Sequence, residues 1–150
     1  MSRPPACLRL QAQLTTLELE GSKRITLPVG PRGLVDAVLL HDPPTPAELE
    51  RAIEVVEDAL MASRLTQSDR GELVTADALL LALPGMESSG GGGLTREAVE
   101  ALFQRLASRS LGSPIATAEL PPQRDIAAAL IILRECMHHL GFDRVGLAQG

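Results

Sequence analysis

Aromatic side chains are almost missing: there is no Trp or Tyr, and Phe103 and Phe142 are the two Phe among 150 residues. Bases therefore have almost nothing on which to stack. Positive charge is also in deficit, with 14 Lys and Arg against 19 Asp and Glu and a formal net charge of -5. The cationic excess that neutralises phosphates along a duplex is lacking, so nucleic acid is not expected as a partner. No apolar run reaches the roughly 20 residues that span a bilayer, and the N-terminus has no charged region leading into an apolar one. No membrane segment is expected, and the expected location is the cytoplasm. Cysteine is scarce too. Cys7 and Cys136 stand far apart without metal-ligand spacing, which fits free, buried thiols in a reducing compartment. What is abundant is apolar side chain, 45% of a length suited to one domain.

The apolar positions divide the chain into elements. Leu8, Leu10, Leu14, Leu17 and Leu19 run to a break at Gly21-Ser22, and Ile25, Leu27 and Val29 resume it, which reads as a β-hairpin. After Gly30, Pro31 and Gly33, the run Leu34, Val35, Ala37, Val38, Leu39, Leu40 fits a third strand or a short helix, the strand being preferred. Thr45 with Pro46 and Glu48 forms a capping box, so a helix starts there, with Leu49, Ile53, Val56 and Leu60 inward. Its acidic side, Glu50, Glu54, Glu57 and Asp58, reads as a solvated face. Residues 75 to 83 read as a short buried helix with Thr75 as cap and Pro84-Gly85 as stop. Residues 84–93, ending in four glycines, are expected to be a flexible loop, because ordering consecutive glycines costs much backbone entropy. Thr95 caps a further amphipathic helix, and residues 124 to 140, apolar nearly all round, form a central helix that Gly141 ends in the left-handed region. Phe142, Val145 and Leu147 close the chain as a strand. The expected fold class is α/β, a mixed sheet with packed helices in a single domain over 1–150.

Few residues invite chemistry. Adjacent helical positions point about 100° apart, so Cys136, His138 and His139 cannot converge on one ion unaided, and no metal site is expected. His41-Asp42 and Ser68-Asp69-Arg70 read as turns. No Ser or Cys sits in a nucleophile elbow.

The order of segments resembles the second domain of the exopolyphosphatase and guanosine pentaphosphate phosphohydrolase (Ppx/GppA) family, of the actin-like, ribonuclease H-like fold. The resemblance rests on Ile25-Thr26-Leu27-Pro28-Val29-Gly30, on His41-Asp42-Pro43-Pro44-Thr45-Pro46-Ala47-Glu48-Leu49, on Leu94-Thr95-Arg96-Glu97, and on the helix from Arg124 with its following strand. It covers roughly residues 8 to 149 and implies a single lobe of that fold. Where the family has an acidic residue and three glycines in its first phosphate loop, the resemblance places Arg9 and Gln11-Ala12-Gln13. Its second loop falls on Gly71-Glu72-Leu73-Val74-Thr75-Ala76, where Leu73 and Val74 replace two glycines. Glycines serve there because side chains would block amides from reaching phosphate oxygens.

The resemblance therefore implies degraded phosphate loops, no catalytic residues and no cofactor, and an interaction or regulatory role in place of phosphoryl transfer. With the first lobe missing, a homodimer is expected to cover the vacated face. The alternative is a residual phosphohydrolase, or a phosphate or nucleotide binder, completed across a dimer. Mg²⁺ is then the cofactor, and the phosphate-binding residues are Arg9, Gly71 and Thr75, with Thr75 as a helix-start hydroxyl and Arg9 as a charge partner.

Overall fold

The computed structural model describes residues 5–19, 23–65, 71–87, 92–112 and 123–148. Their elements run β1 (Ala6–Leu10), β2 (Thr15–Leu19), β3 (Lys23–Leu27), α1 (Pro31–Ala37), α2 (Pro46–Ala62), β4 (Gly71–Thr75), α3 (Ala78–Leu81), β5 (Leu94–Thr95), α4 (Arg96–Ser110), α5 (Arg124–Leu140) and β6 (Phe142–Leu147). The six strands form one mixed sheet in the order β3-β2-β1-β4-β6-β5, the α/β class expected.

Period-two burial sets which face of the sheet is core. Ala6, Leu8, Leu17, Leu27, Leu73 and Val145 are buried, and the register places Ala6 beside Leu73, Leu73 beside Val145, and Leu8 beside Leu17. The alternate positions carry Arg9, Arg24 and Glu72, exposed, with Cys7, Glu18 and Val74 half-buried. Connectivity explains the asymmetry. The parallel steps β1 to β4 and β4 to β6 move the same way across the sheet, and right-handed crossovers then deliver both sets of helices to one face. Helices α1, α2, α3 and α4 each pack against α5, which lies on the sheet. Among the described residues, the opposite face carries no helix.

Three elements differ from their sequence expectation. The hairpin is a three-stranded meander, because residues 11–14 turn between β1 and β2 with Gln11 N–H donating to Leu14 O at 2.8 Å. The strand preferred for 34–40 is not formed. Pro31 occupies the first helical turn of α1, and Leu34 and Val35 are buried side by side, as one face of a short helix allows and an alternating strand does not. Thr75 does not cap a helix: it ends β4, and Asp77 caps α3 through Leu79 N–H at 3.0 Å. Strands β4 and β5 are additional elements. The loop expected over 84–93 lies outside the described residues at 88–91. At its ends Met86 is fully buried, and Gly93 N–H donates to Met86 O at 2.8 Å.

The long helices form as their signals indicate. Thr45 accepts from Glu48 N–H at 3.2 Å and Glu48 Oε1 accepts from Thr45 N–H at 3.0 Å, a complete capping box on α2. Burial opposes ionisation of Glu48, but its hydrogen bonds to the His41 side chain and to the Thr45 and His41 amides win, and hold its carboxyl below the usual range. His41, read as part of a turn, therefore pairs with Glu48, Nδ1 to Oε2 at 2.7 Å. Thr45→Ala is expected to cost about 1 kcal/mol in urea unfolding. The Glu48 share of the box is complete above the usual carboxylate pKa and is lost as pH falls through its depressed value, but it rests on the His41 side chain and on backbone amides that the variant keeps, so the variant's deficit stays nearly constant with pH. Thr95 caps α4 through Ala98 N–H at 3.1 Å. Gly141 ends α5 at φ 82°, where its lack of a Cβ matters. Burial pushes the Cys136 thiol up to about 12. Cys7 and Cys136 are both free, though Cys7 is half-buried. No helix among the described residues is long and apolar enough to cross a membrane.

Candidate functional site

Strands β1, β4 and β6 are parallel, so their C-terminal ends meet at one edge of the sheet, the edge where open α/β sheets bind ligands. A cavity of about 370 Å³ lies there, lined by Cys7, Leu8, Arg9, Leu10, Ala76, Asp77 and Ala148. The end of β1 and the start of α3 thus share it. The β1–β2 turn faces a neighbouring cavity of about 130 Å³ instead, with Gln11 and Ala12 beside Pro31, Arg32, Leu79 and Asp125. Leu10 lines both.

The three residues singled out for phosphate binding separate in space. Arg9 lines the larger cavity, but its Nε lies 3.5 Å from Glu18 Oε1, which also pairs with Arg24 at 3.2 Å. Its side chain is 63% exposed. Thr75 is fully buried beneath the cavity. Its hydroxyl donates to Leu8 O at 2.9 Å and accepts from Asp77 N–H at 3.1 Å, which ties β1 to β4 and fixes the turn into α3. Gly71 opens β4 opposite Phe142. Four residue steps along the strand separate it from Thr75, about 13 Å. The structure therefore brings Arg9 and the Thr75 turn to one place and leaves Gly71 at the other end of the sheet.

The main-chain groups of this region are also engaged. Residues 71–75, where the resemblance places a phosphate loop, are strand β4, and Leu73 and Val74 lie in register with both β1 and β6. Gln11 N–H is taken by Leu14 O, and Ala12 O by Gly33 N–H at 3.1 Å.

Asp77 is the site residue that sequence reasoning missed. It lines the cavity, and its Oδ1 accepts from Leu79 N–H. An Asp directly before Ala78-Leu79-Leu80-Leu81 is a sequence-level N-cap signal, which Thr75 two residues earlier obscured. The cavity thus offers one exposed guanidinium, one carboxylate, one thiol and apolar walls.

No protein-family model matches the sequence, and no curated protein matches it. Solved structures do. The Aquifex aeolicus PPX-GPPA enzyme superposes with a TM-score of 0.71 at 18% identity, over 96% of this chain and 54% of that one. The type II variant of the Aquifex aeolicus Ppx/GppA phosphatase gives 0.69 at 17% identity, over 96% and 54%. An exopolyphosphatase-like protein gives 0.70 at 13% identity, over 98% and 56%. The chain therefore has the fold of about half the length of these proteins.

Proposed function

We propose that this chain is a relative of one lobe of the Ppx/GppA phosphatases that works as a non-catalytic interaction or regulatory domain in the cytoplasm. The observation that carries this reading is the commitment of the groups a phosphate would need. Leu73 and Val74 are inside the sheet ladder, Gln11 N–H is closed into its turn, and both hydrogen-bonding directions of the Thr75 hydroxyl are used. Phosphoryl transfer depends on oriented donors around the transferred group, and donors already bonded within the fold do not supply them. The Asp77 carboxylate adds like charge to any oxyanion entering the cavity. The two unpaired thiols support the reducing compartment.

The partner in this reading is a second copy of the chain. Parallel strands are ordinarily covered on both faces, and here Cys7, Val74 and Gly146 of β1, β4 and β6 lie side by side on the face that carries no helix among the described residues. Sedimentation at micromolar concentration is expected to show a dimer. A species of 15.9 kDa alone would remove this part of the proposal.

One observation favours a second reading, a residual phosphohydrolase or phosphate binder completed across the dimer: Arg9 stands largely exposed at the cavity mouth. Mg²⁺ would there meet the Asp77 carboxylate as its available protein ligand and would supply charge neutralisation. A phosphate-release assay with polyphosphate and with nucleotides, each with Mg²⁺, separates the readings. No turnover above buffer is expected. Turnover abolished by Arg9→Ala would establish the enzyme instead.

A further inference from the structure

Between α2 and α5, remote from the strand-end cavity, three side chains that can each donate a metal ligand converge. Glu135 and His139 are one helical turn apart on α5 and share a face; Glu57 approaches from α2. Nε2 of His139 lies 3.4 Å from Glu57 Oε2 and 4.0 Å from Glu135 Oε1. The three donor atoms all lie within 4.8 Å of one another.

The Glu135 side chain is only 3% exposed. Its Oε2 accepts from Arg134 Nη1 at 2.7 Å. Its Oε1 faces the imidazole nitrogen at a distance too long for a hydrogen bond. Two carboxylates thus address one nitrogen that can direct a single N–H. A cation placed between the three donors satisfies all of them at once.

We infer that Glu57, Glu135 and His139 form a binding site for a divalent transition metal of the zinc class. One imidazole with two carboxylates suits zinc, whereas Mg²⁺ and Ca²⁺ favour oxygen shells. Tetrahedral bonds of about 2.0–2.1 Å place neighbouring donors about 3.3 Å apart. The His139–Glu57 pair already meets that spacing, and the His139–Glu135 pair must close by less than one ångström. Glu57 is 42% and His139 28% exposed, so a fourth position remains open to water. Bound there, the metal cross-links α2 to α5. The site begins ten residues into α5 beyond Asp125 of the smaller cavity, about 15 Å along the axis, so it stands or falls independently of the phosphate question.

The test is calorimetric titration of the metal-stripped full chain with Zn²⁺, and separately with Mg²⁺. Saturable binding of one Zn²⁺ is expected, with Mg²⁺ binding at least about tenfold weaker. Glu57→Gln and His139→Gln, at partly exposed positions that leave the core intact, are each expected to weaken Zn²⁺ binding about tenfold or more, and circular dichroism checks that both fold. Cys7→Ser and His41→Gln are expected to leave binding unchanged. Thermal melting gives a second readout: Zn²⁺ raises the midpoint of the original chain and not that of the two ligand variants. Absence of saturable binding, equal affinity for Mg²⁺, binding unaltered in Glu57→Gln and His139→Gln, or loss on removing Cys7 or His41 would each overturn the inference.

Discussion

Gly30→Ala is expected to destabilise the protein by about 3 kcal/mol, at the upper end of ordinary overpacking costs. The midpoint of thermal unfolding should fall by about 10 °C. A Cβ at this position would lie 2.5 Å from Ala12 O, 2.6 Å from Leu14 N, and in contact with Gln11 O. All three are backbone atoms of the β1–β2 turn, held in place by Gln11 N–H to Leu14 O and by Gly33 N–H to Ala12 O. They cannot yield without breaking those bonds or lifting the turn from the start of α1. Gly33→Ala is the control. Its Cβ would meet Gln13 Oε1 at 2.6 Å, the far end of a side chain that can rotate away, so its cost should be a small fraction of the first. Equal losses in the two variants would refute the steric account.

Arg134→Met should cost about 3 kcal/mol at neutral pH, the lower end for breaking a buried ion pair because the Arg134 side chain is 26% exposed. Arg134 donates to Glu135 Oε2 at 2.7 Å and to both oxygens of Glu100, at 2.7 and 3.3 Å, and its guanidinium lies 4.1 Å over the Phe103 ring. Burial raises the Glu135 carboxyl above its usual range; Arg134 pulls it back and Glu57 pushes it further up. A carboxyl whose pKa is raised on folding binds its proton more tightly in the native state. Stability is therefore unpenalised below the unfolded pKa and declines as pH rises toward the folded one. Without Arg134 that penalty grows. The gap between the variant and the parent should be widest above neutrality and shrink as pH falls toward the usual carboxylate range, and adding Glu135→Gln should remove the Glu135 share of this pH dependence. Urea unfolding from pH 4 to 8 measures it; a gap independent of pH would refute the assignment.

The elements legible in the sequence were those with their own local signals. Thr45 and Glu48 define α2, Thr95 defines α4, and Gly141 ends a helix whose apolar content identifies it as the central one. The expectation of a mixed sheet with packed helices held for the same reason. What could not be read depended on distant partners. The segment Gly71–Thr75 becomes a strand because β1 and β6 flank it on both sides, and five residues have too little pattern to announce that. The run from Leu34 folds as helix because Pro31 starts it and α5 receives Leu34 and Val35, a tertiary preference over a local one. Of the site, Arg9 was singled out only through the family resemblance, and no local signal could reveal that Thr75 commits its hydroxyl to Leu8, 67 positions away. The spacing of Glu135 and His139 is visible in one helix; their juxtaposition with Glu57, 82 positions before His139, is not.

The connectivity of the sheet also bears on how the chain emerges during synthesis. Strands β1, β2 and β3 are contiguous and can associate early, yet β1 acquires its other neighbour only with residues 71–75, and that neighbour acquires β6 only with residues 142–147. The central helix α5, against which α1, α2, α3 and α4 pack, is itself translated after residue 123. An incomplete nascent chain therefore holds β1 without β4, and α1 to α4 without α5, throughout most of its elongation. Assembly is governed by these late, sequence-distant closures, which makes it slow for a protein of this size and gives ribosome-bound intermediates a surface that chaperones would engage.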